Sequence, residues 1–186
     1  MSALHELPPD LPRPVNDSAC DHLLGMAMPA IRLASTSGHE VDLAALGPGR
    51  TVIYCYPRTG EPGKDLPAGW DAIPGARGCT PQACAFRDHC EELAQYGARL
   101  FGLSTQDTAY QREMAERLHL PFDILSDAKF AFSTALRLPT FDADGTRFIK
   151  RLTLVVRDDL IEHFFYPVFP PDESARAVVA WLAHNG

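Results

Sequence analysis

The run Arg50-Thr51-Val52-Ile53-Tyr54-Cys55-Tyr56-Pro57 constrains the fold more than any other stretch of the chain. It is a continuous β-prone segment with apolar residues on both of its faces, and Pro57 ends it. A strand that is apolar on both faces is typical of the centre of an α/β sheet, because helices have to cover it on both sides. We therefore expect this run to be a central strand. Cys55 is expected to be a buried and inert core residue.

The segments around this strand supply alternating strands and helices. A hairpin is predicted from residues 27–34 and 40–43, because apolar and polar residues alternate over the first segment and a turn separates the two. Further strands are predicted at residues 99–104, 122–125, 151–156 and 160–166. Helices are predicted from residue 80 to about residue 97 and at residues 108–118, 129–136 and 172–182. This order predicts an α/β sandwich with a central mixed β-sheet flanked by helices.

The N-terminal residues differ from the rest of the chain. Residues 1–24 contain several prolines and little apolar periodicity, so we expect an extension that is disordered or lies over the surface, and a single domain over residues 25–186. Residues 1–14 lack the basic start and apolar core of a secretory signal. No apolar run approaches the roughly 20 residues of a membrane span. A cytoplasmic protein is the expectation.

Net charge and composition narrow the possible partners. The formal net charge is −7, and lysines and arginines do not cluster in the sequence. Because phosphate contacts need clustered basic side chains, a nucleic-acid-binding surface is not expected.

A long segment rich in proline and glycine, residues 58–78, follows the central strand. It has no periodicity of its own, and long loops of this kind are usually functional or mobile. Trp70 and Ile73 are expected to attach it to the body of the protein. The next helix is expected to use Thr80 as its cap and Pro81 as its first residue.

Two of the five cysteines, Cys79 and Cys84, lie five residues apart at the start of that helix. An odd number of cysteines in a reducing compartment indicates free thiols. Cys79 lies just before the first helical turn, and the positive end of a helix together with a nearby arginine favours a thiolate. Arg77 is close in sequence. The pattern predicts that Cys79 is a reactive thiolate.

The spacing of the two cysteines has a mechanical consequence. Cα atoms five residues apart on one helix are separated by about 7.5 Å along its axis, whereas a disulfide needs Cα atoms within about 7 Å. A bridge would therefore require the first turn or two to unwind. On the helical wheel Cys90 shares a buried stripe with Phe86 and Leu93, and Cys84 is turned about 200° from Phe86, towards solvent.

Other interpretations of the cysteines remain open at this point. The pair could be ordinary core or surface residues. A zinc site formed by Cys79, Cys84, His89 and Cys90 is disfavoured, because side chains on one helix at these positions diverge. A thiol–disulfide oxidoreductase normally uses Cys-x-x-Cys, which is absent.

The segment Gly78-Cys79-Thr80-Pro81-Gln82-Ala83-Cys84-Ala85-Phe86-Arg87-Asp88 resembles the active-site helix of the Q-type peroxiredoxins, also called bacterioferritin comigratory proteins. Their pattern runs Gly-Cys-Thr, two residues, Ala-Cys, one residue, Phe-Arg-Asp. Tyr56-Pro57, Gly102-Leu103-Ser104 and Leu125-Ser126-Asp127 are also similar, in the right order. The resemblance covers roughly residues 25–183. It implies a thioredoxin-like fold and reduction of hydroperoxides by a thiol.

The resemblance also implies roles for particular residues. Cys79 is expected to be the peroxidatic cysteine, which is oxidised to a sulfenic acid. Cys84 is expected to resolve it as an intramolecular disulfide, and Arg151 to hold the thiolate and polarise the peroxide. A thioredoxin-like or glutaredoxin-like reductant would complete the cycle. No metal or other cofactor is implied, and a monomer or weak homodimer is expected.

The sequence departs from the family where a hydroxyl is expected beside the reactive cysteine. The family places a proline seven residues and a threonine or serine three residues before that cysteine, and here these positions are Ala72 and Ala76. Tyr56-Pro57-Arg58-Thr59-Gly60 resembles the first half of the motif, as though an insertion had separated it from Cys79. Thr59 is therefore the candidate for the hydroxyl. The alternative function is a redox-responsive sensor or binding protein of the same fold with poor peroxidase turnover.

Overall fold

The computed structural model describes residues 7–186, so the part of the expected extension formed by residues 1–6 lies outside the described residues. The strands are β1 (Arg32–Ser35), β2 (Glu40–Asp42), β3 (Arg50–Cys55), β4 (Ala98–Ser104), β5 (Ile124–Ser126), β6 (Thr140–Ala143), β7 (Thr146–Ile149), β8 (Leu152–Arg157) and β9 (Leu160–Phe165). The α-helices are α1 (Cys79–Asp88), α2 (Cys90–Gln95), α3 (Thr108–Arg117), α4 (Ala131–Ala135) and α5 (Ser174–Asn185). Short 3-10 helices lie at Asp21–Leu23, Trp70–Ala72 and Pro171–Glu173.

The predicted central strand is confirmed. Seven strands form one sheet in the order β2-β1-β5-β4-β3-β8-β9, and β3 pairs in parallel with β4 and antiparallel with β8. All six residues of β3 are buried. Its side chains alternate between two apolar cores, because successive residues of a strand point to opposite faces. Val52 and Tyr54 enter one core, and Ile53 and Cys55 enter the other.

The two cores give the layers of the sandwich. Buried side chains of α1, α2, α3 and α5 share the core of Val52 and Tyr54. Buried side chains of α4, of the hairpin β1–β2 region and of residues 20–28 share the core of Ile53 and Cys55. The mixed sheet flanked by helices is therefore as the sequence predicted.

The N-terminal part of the sheet differs from the predicted pattern. Residues 27–34 do not form one strand, since β1 begins only at Arg32. Ala27 instead makes an isolated antiparallel bridge with Leu160, beyond the turn between β8 and β9. Pro29 has no N–H group and cannot continue that pairing.

The expected division between an extension and a domain at residues 24 and 25 does not match the packing. Cys20 and Leu23 are fully buried and belong to the same core as Ile53. Nearby, the Asp17 carboxylate accepts hydrogen bonds from Lys150 and Tyr166. The packed part of the chain therefore begins before residue 25.

The hairpin of β6 and β7 is a separate two-stranded sheet that was not predicted from the sequence. Its turn contains Asp144 and Gly145, both with positive φ (49° and 71°). Two-residue turns with positive φ at both positions favour Asp-Gly, so this dipeptide was the available signal. The hairpin matters for the site because Phe141 and Phe148 contact Trp70, as described below.

Candidate active site

The site is built at the start of α1, where the chain turns into the helix at Gly78. Gly78 has a φ of 98°, and a Cβ at this position would overlap the side chains of Pro171 and Leu7. Glycine therefore satisfies both the backbone conformation and the close approach. The helix begins at Cys79, two residues before the predicted first residue Pro81, so Thr80 is a residue of the first turn and not the cap. The Cys79 side chain lies at the positive end of the helix dipole and is 3% exposed.

Arg151 lies directly against Cys79. Its Nη2 atom donates to Cys79 Sγ at 3.1 Å. The same guanidinium donates to the carbonyl oxygens of residues 75–77 at 3.1–3.3 Å, and its Nη1 atom donates to Gln82 Oε1. Arg151 is itself buried, at 3% exposure. Several acceptors thus fix the orientation of the guanidinium and place its positive charge beside the sulfur, where it stabilises a thiolate.

The structure does not bring Thr59 into hydrogen-bond contact with Cys79. Thr59 is buried, and its N–H and its hydroxyl both donate to Gln106 Oε1, at 3.0 and 3.2 Å. Within residues 7–186, the hydrogen bonds found for the Cys79 sulfur are with Arg151 and with the carbonyl oxygen of Ala76, 3.5 Å away. A backbone carbonyl three residues before Cys79 therefore contacts the sulfur, at the position where the family has a hydroxyl side chain.

Gln82 also belongs to the site, although the sequence pattern did not predict a role for it. It is fully buried, accepts a hydrogen bond from Arg151, and donates through Nε2 to Ser174 Oγ at 3.2 Å. Ser174 is the first residue of α5. The available signal was the spacing, because a polar residue three positions after Cys79 lies on the same face of the helix.

The prediction of one helix from residue 80 to about residue 97 is wrong. His89 has φ and ψ of −105° and 8°, which ends α1 and separates it from α2. The expected buried stripe is therefore interrupted. Phe86 and Leu93 are buried, but Cys90, the first residue of α2, is half-buried, as is Cys84. The helical wheel fails for Cys90 because the helical periodicity is interrupted at His89, between Phe86 and Cys90.

All five cysteines are free thiols, and burial raises the pKa of four of them. Desolvation raises the pKa of Cys20 to about 12 and holds the pKa of Cys55 well above its ordinary value. Desolvation also raises the pKa of Cys84 and of Cys90. These four thiols are therefore protonated near neutral pH, and a protonated thiol is a poor nucleophile. Cys79 differs from them because a guanidinium donates directly to its sulfur.

Within residues 7–186 there is no group of three or more histidine, cysteine, aspartate or glutamate side chains that could hold a metal ion.

The helices of this same stretch include none that combines the length and the apolar character of a membrane span.

Comparison with known proteins identifies the family. The Redoxin family model matches residues 23–179, and the chain belongs to this family. Similar curated proteins are a putative chloroplastic peroxiredoxin Q of Oryza sativa subsp. indica, 28% identical over 149 residues, and the chloroplastic peroxiredoxin Q of Gentiana triflora, 31% identical over 158 residues. The alignments cover 80% and 85% of this chain. They cover 61% and 65% of the relatives, so the chain spans roughly three fifths of the length of these plant proteins.

Solved structures agree with this family. Peroxidoxin BcpB from Mycobacterium tuberculosis superposes with a TM-score of 0.69 at 25% identity, over 87% of this chain and 96% of that one. The bacterioferritin comigratory protein of Xanthomonas campestris gives a TM-score of 0.67 at 19% identity, over 95% of this chain and 99% of that one. The resemblance to the Q-type branch and the thioredoxin-like fold, both predicted from the sequence, are confirmed.

Proposed function

We propose that this protein is a thiol-dependent peroxidase in which Cys79 attacks hydrogen peroxide or an alkyl hydroperoxide. The observation that carries the proposal is the 3.1 Å contact between Arg151 Nη2 and Cys79 Sγ at the start of α1. A cation in this place stabilises the attacking thiolate and the negative charge that develops on the leaving oxygen. Membership of the family supports it, as does the solved X. campestris relative, which is described by its alkyl peroxide reduction activity.

The proposed chemistry begins at the Cys79 sulfur. The thiolate attacks one peroxide oxygen, a S–O bond forms and the O–O bond breaks. The second oxygen leaves as hydroxide or alkoxide and takes a proton to become water or an alcohol. The sulfur is oxidised by two electrons to a sulfenic acid, and the peroxide is reduced by the same two electrons.

Cys84 is the proposed resolving residue. The Cys84 sulfur attacks the sulfenic sulfur, a S–S bond forms and the S–O bond breaks, and the hydroxide that leaves takes up the proton released by the Cys84 thiol to become water. Because Cys79 and Cys84 both lie on α1, whose rise keeps their Cα atoms about 7.5 Å apart along the axis, the start of the helix has to unwind first. Unwinding also separates Cys79 and Gln82 from Arg151, so the bonds that fix the reduced site oppose resolution.

A thioredoxin-like or glutaredoxin-like dithiol is the proposed reductant of this disulfide. The protein is proposed to act as a monomer or weak homodimer. The cytoplasmic location expected from the sequence stays a prediction, and the plant relatives are described as chloroplastic proteins.

A coupled assay tests the proposal. NADPH oxidation is followed with thioredoxin, thioredoxin reductase and hydrogen peroxide. The Cys79→Ser variant is expected to lose turnover, whereas the matched control Cys90→Ser, which removes a half-buried thiol from α2, keeps it. A Cys79→Ser variant as active as the wild type would refute the assignment.

A second candidate is a redox-responsive sensor or binding protein. It is favoured by the contacts of Thr59, whose hydroxyl donates to Gln106 while the Ala76 carbonyl contacts the Cys79 sulfur. Oxidation of Cys79 in a single turnover, without repeated turnover when the reductant is saturating, would support this candidate. A partner protein bound in only one redox state would support it further.

A further inference from the structure

The segment of residues 58–78 lines a very small cavity at Cys79. The cavity has a volume of ≈ 10 Å³, and its walls include Leu66 and Trp70 from this segment and Cys79 and Thr80 from the start of α1. A space of this size holds about one water molecule. A peroxide that reaches the sulfur along this route meets walls that include the side chains of Leu66 and Trp70.

The beginning of the segment is fastened to α3 and to the loop before it. Thr59 donates through its N–H and its hydroxyl to Gln106, and its carbonyl oxygen accepts from the Tyr110 hydroxyl at 3.0 Å. The next carbonyl, of Gly60, accepts from Arg117 Nη2 at 3.2 Å. Thr59 therefore helps to hold the segment in place.

The other end of the segment is fastened by aromatic packing. The Trp70 ring meets Phe148 edge to face with centroids 5.0 Å apart, and it lies 5.8 Å from Phe141. These contacts join the segment to the β6–β7 hairpin, and Trp70 is only 3% exposed. Beyond Trp70, the carbonyl groups of residues 75–77 accept hydrogen bonds from Arg151. Both ends of the segment are therefore held by contacts with the rest of the protein, so the cavity wall is fixed in place by the fold.

We propose that the segment of residues 58–78 is a fixed lid that restricts the enzyme to hydrogen peroxide and the smallest alkyl hydroperoxides, with Trp70 as the specificity-determining residue. This inference rests on the proposed function. A bulky organic group on the peroxide has to displace Leu66 or Trp70 before the distal oxygen reaches the Cys79 sulfur, whereas hydrogen peroxide carries no such group. The reaction at sulfur is unchanged, and the lid selects which peroxide undergoes it.

The test compares three peroxides under single-turnover conditions. Oxidation of Cys79 is measured by rapid quenching, thiol alkylation and mass spectrometry with hydrogen peroxide, tert-butyl hydroperoxide and cumene hydroperoxide. The wild type is expected to react at least about tenfold faster with hydrogen peroxide than with cumene hydroperoxide, within the range that packing selectivity supplies. Trp70→Ala is expected to reduce this ratio by about tenfold or more. Trp70→Phe should give a ratio between the two.

The chain offers a matched control in Trp181, its other tryptophan. Trp181 stacks on His163 and is outside the lining of the cavity, so Trp181→Ala should keep the wild-type ratio. Leu66→Ala opens the same wall without removing a tryptophan and should lower the ratio in the same direction. This second variant decides the question if Trp70→Ala does not fold.

The outcomes separate the lid from the peroxidase itself. A wild type that reacts equally fast with cumene hydroperoxide and hydrogen peroxide overturns the lid proposal and leaves the peroxidase proposal intact. The lid proposal is also overturned if folded Trp70→Ala keeps the wild-type ratio of the hydrogen peroxide rate to the cumene hydroperoxide rate. If Trp70→Ala does not fold, an unchanged ratio in folded Leu66→Ala overturns it instead. Failure of all three peroxides to oxidise Cys79 overturns the proposed function.

Discussion

Replacing Arg151 is the most informative perturbation of the site. Arg151→Met removes the positive charge and every donor while keeping a long, flexible side chain in the buried space. The lost bond to Cys79 Sγ is charge-assisted, and bonds of this kind contribute about 1.5–3 kcal/mol. Since 1.36 kcal/mol corresponds to a factor of ten in rate, oxidation of Cys79 should slow by about 10- to 150-fold.

The same substitution has a structural effect that has to be measured separately. Arg151 also donates to Gln82 and to the carbonyl oxygens of residues 75–77. Acceptors left buried without a donor cost about 1–3 kcal/mol of stability. Since four acceptor oxygens lose their donor, the free energy of unfolding in urea should fall by at least this amount. Arg151→Lys keeps the charge but not the planar set of donors, and its rate should lie between those of Arg151→Met and the wild type.

The assay is stopped-flow oxidation of the reduced protein by hydrogen peroxide at a temperature where all variants are folded. The matched control is Arg157→Met, at the other end of β8, where the arginine is more than half exposed. Its rate should equal that of the wild type. A folded Arg151→Met variant that is oxidised as fast as the wild type would refute the role given to the guanidinium.

Two further predictions concern resolution and stability. Cys84→Ser is expected to oxidise Cys79 at the wild-type rate but to stop at a sulfenic acid that dimedone traps, whereas Cys90→Ser still forms the disulfide; an intramolecular disulfide in Cys84→Ser would contradict the pairing. Arg50 donates to both carboxylate oxygens of Glu162, at 2.7 and 2.9 Å, and this hydrogen bonding is the main cause that lowers the Glu162 pKa. Glu162→Gln should therefore lose about 1.5–3 kcal/mol at pH 7. Because a lowered pKa stabilises the fold only while the carboxylate is charged, this loss should shrink as the pH falls below the ordinary glutamate value of about 4.3; an equal loss in urea unfolding at pH 7 and pH 3.5 would contradict it.

The features that could be predicted from sequence are those set by local pattern. The central position of β3 followed from apolar residues on both faces, and all six of its residues are buried. The cysteine pair and Arg151 followed from the family pattern, and the structure brings Arg151 to Cys79. Contact between residues 72 positions apart cannot be read from periodicity, so only the resemblance supplied it.

The features that could not be predicted depend on contacts between distant segments. The helix break at His89 has no proline or glycine to mark it. Burial of Cys20 and Leu23 depends on a core that is assembled from the far end of the chain. The hydrogen bonds of Thr59 to Gln106 could not be predicted either, because the residues around Thr59 give no sign that they pack against Gln106.

The most direct test of the account is to identify which thiol reacts first. The reduced wild type is treated with one equivalent of hydrogen peroxide in the presence of dimedone, and the labelled cysteine is identified by peptide mass spectrometry. The label is expected on Cys79. Burial raises the pKa of the other four thiols, those of Cys20, Cys55, Cys84 and Cys90. Within residues 7–186, Cys79 is the cysteine whose sulfur accepts a hydrogen bond from a guanidinium. Labelling that begins at any of the other four cysteines, or a Cys79 that carries neither the label nor a disulfide, would contradict it.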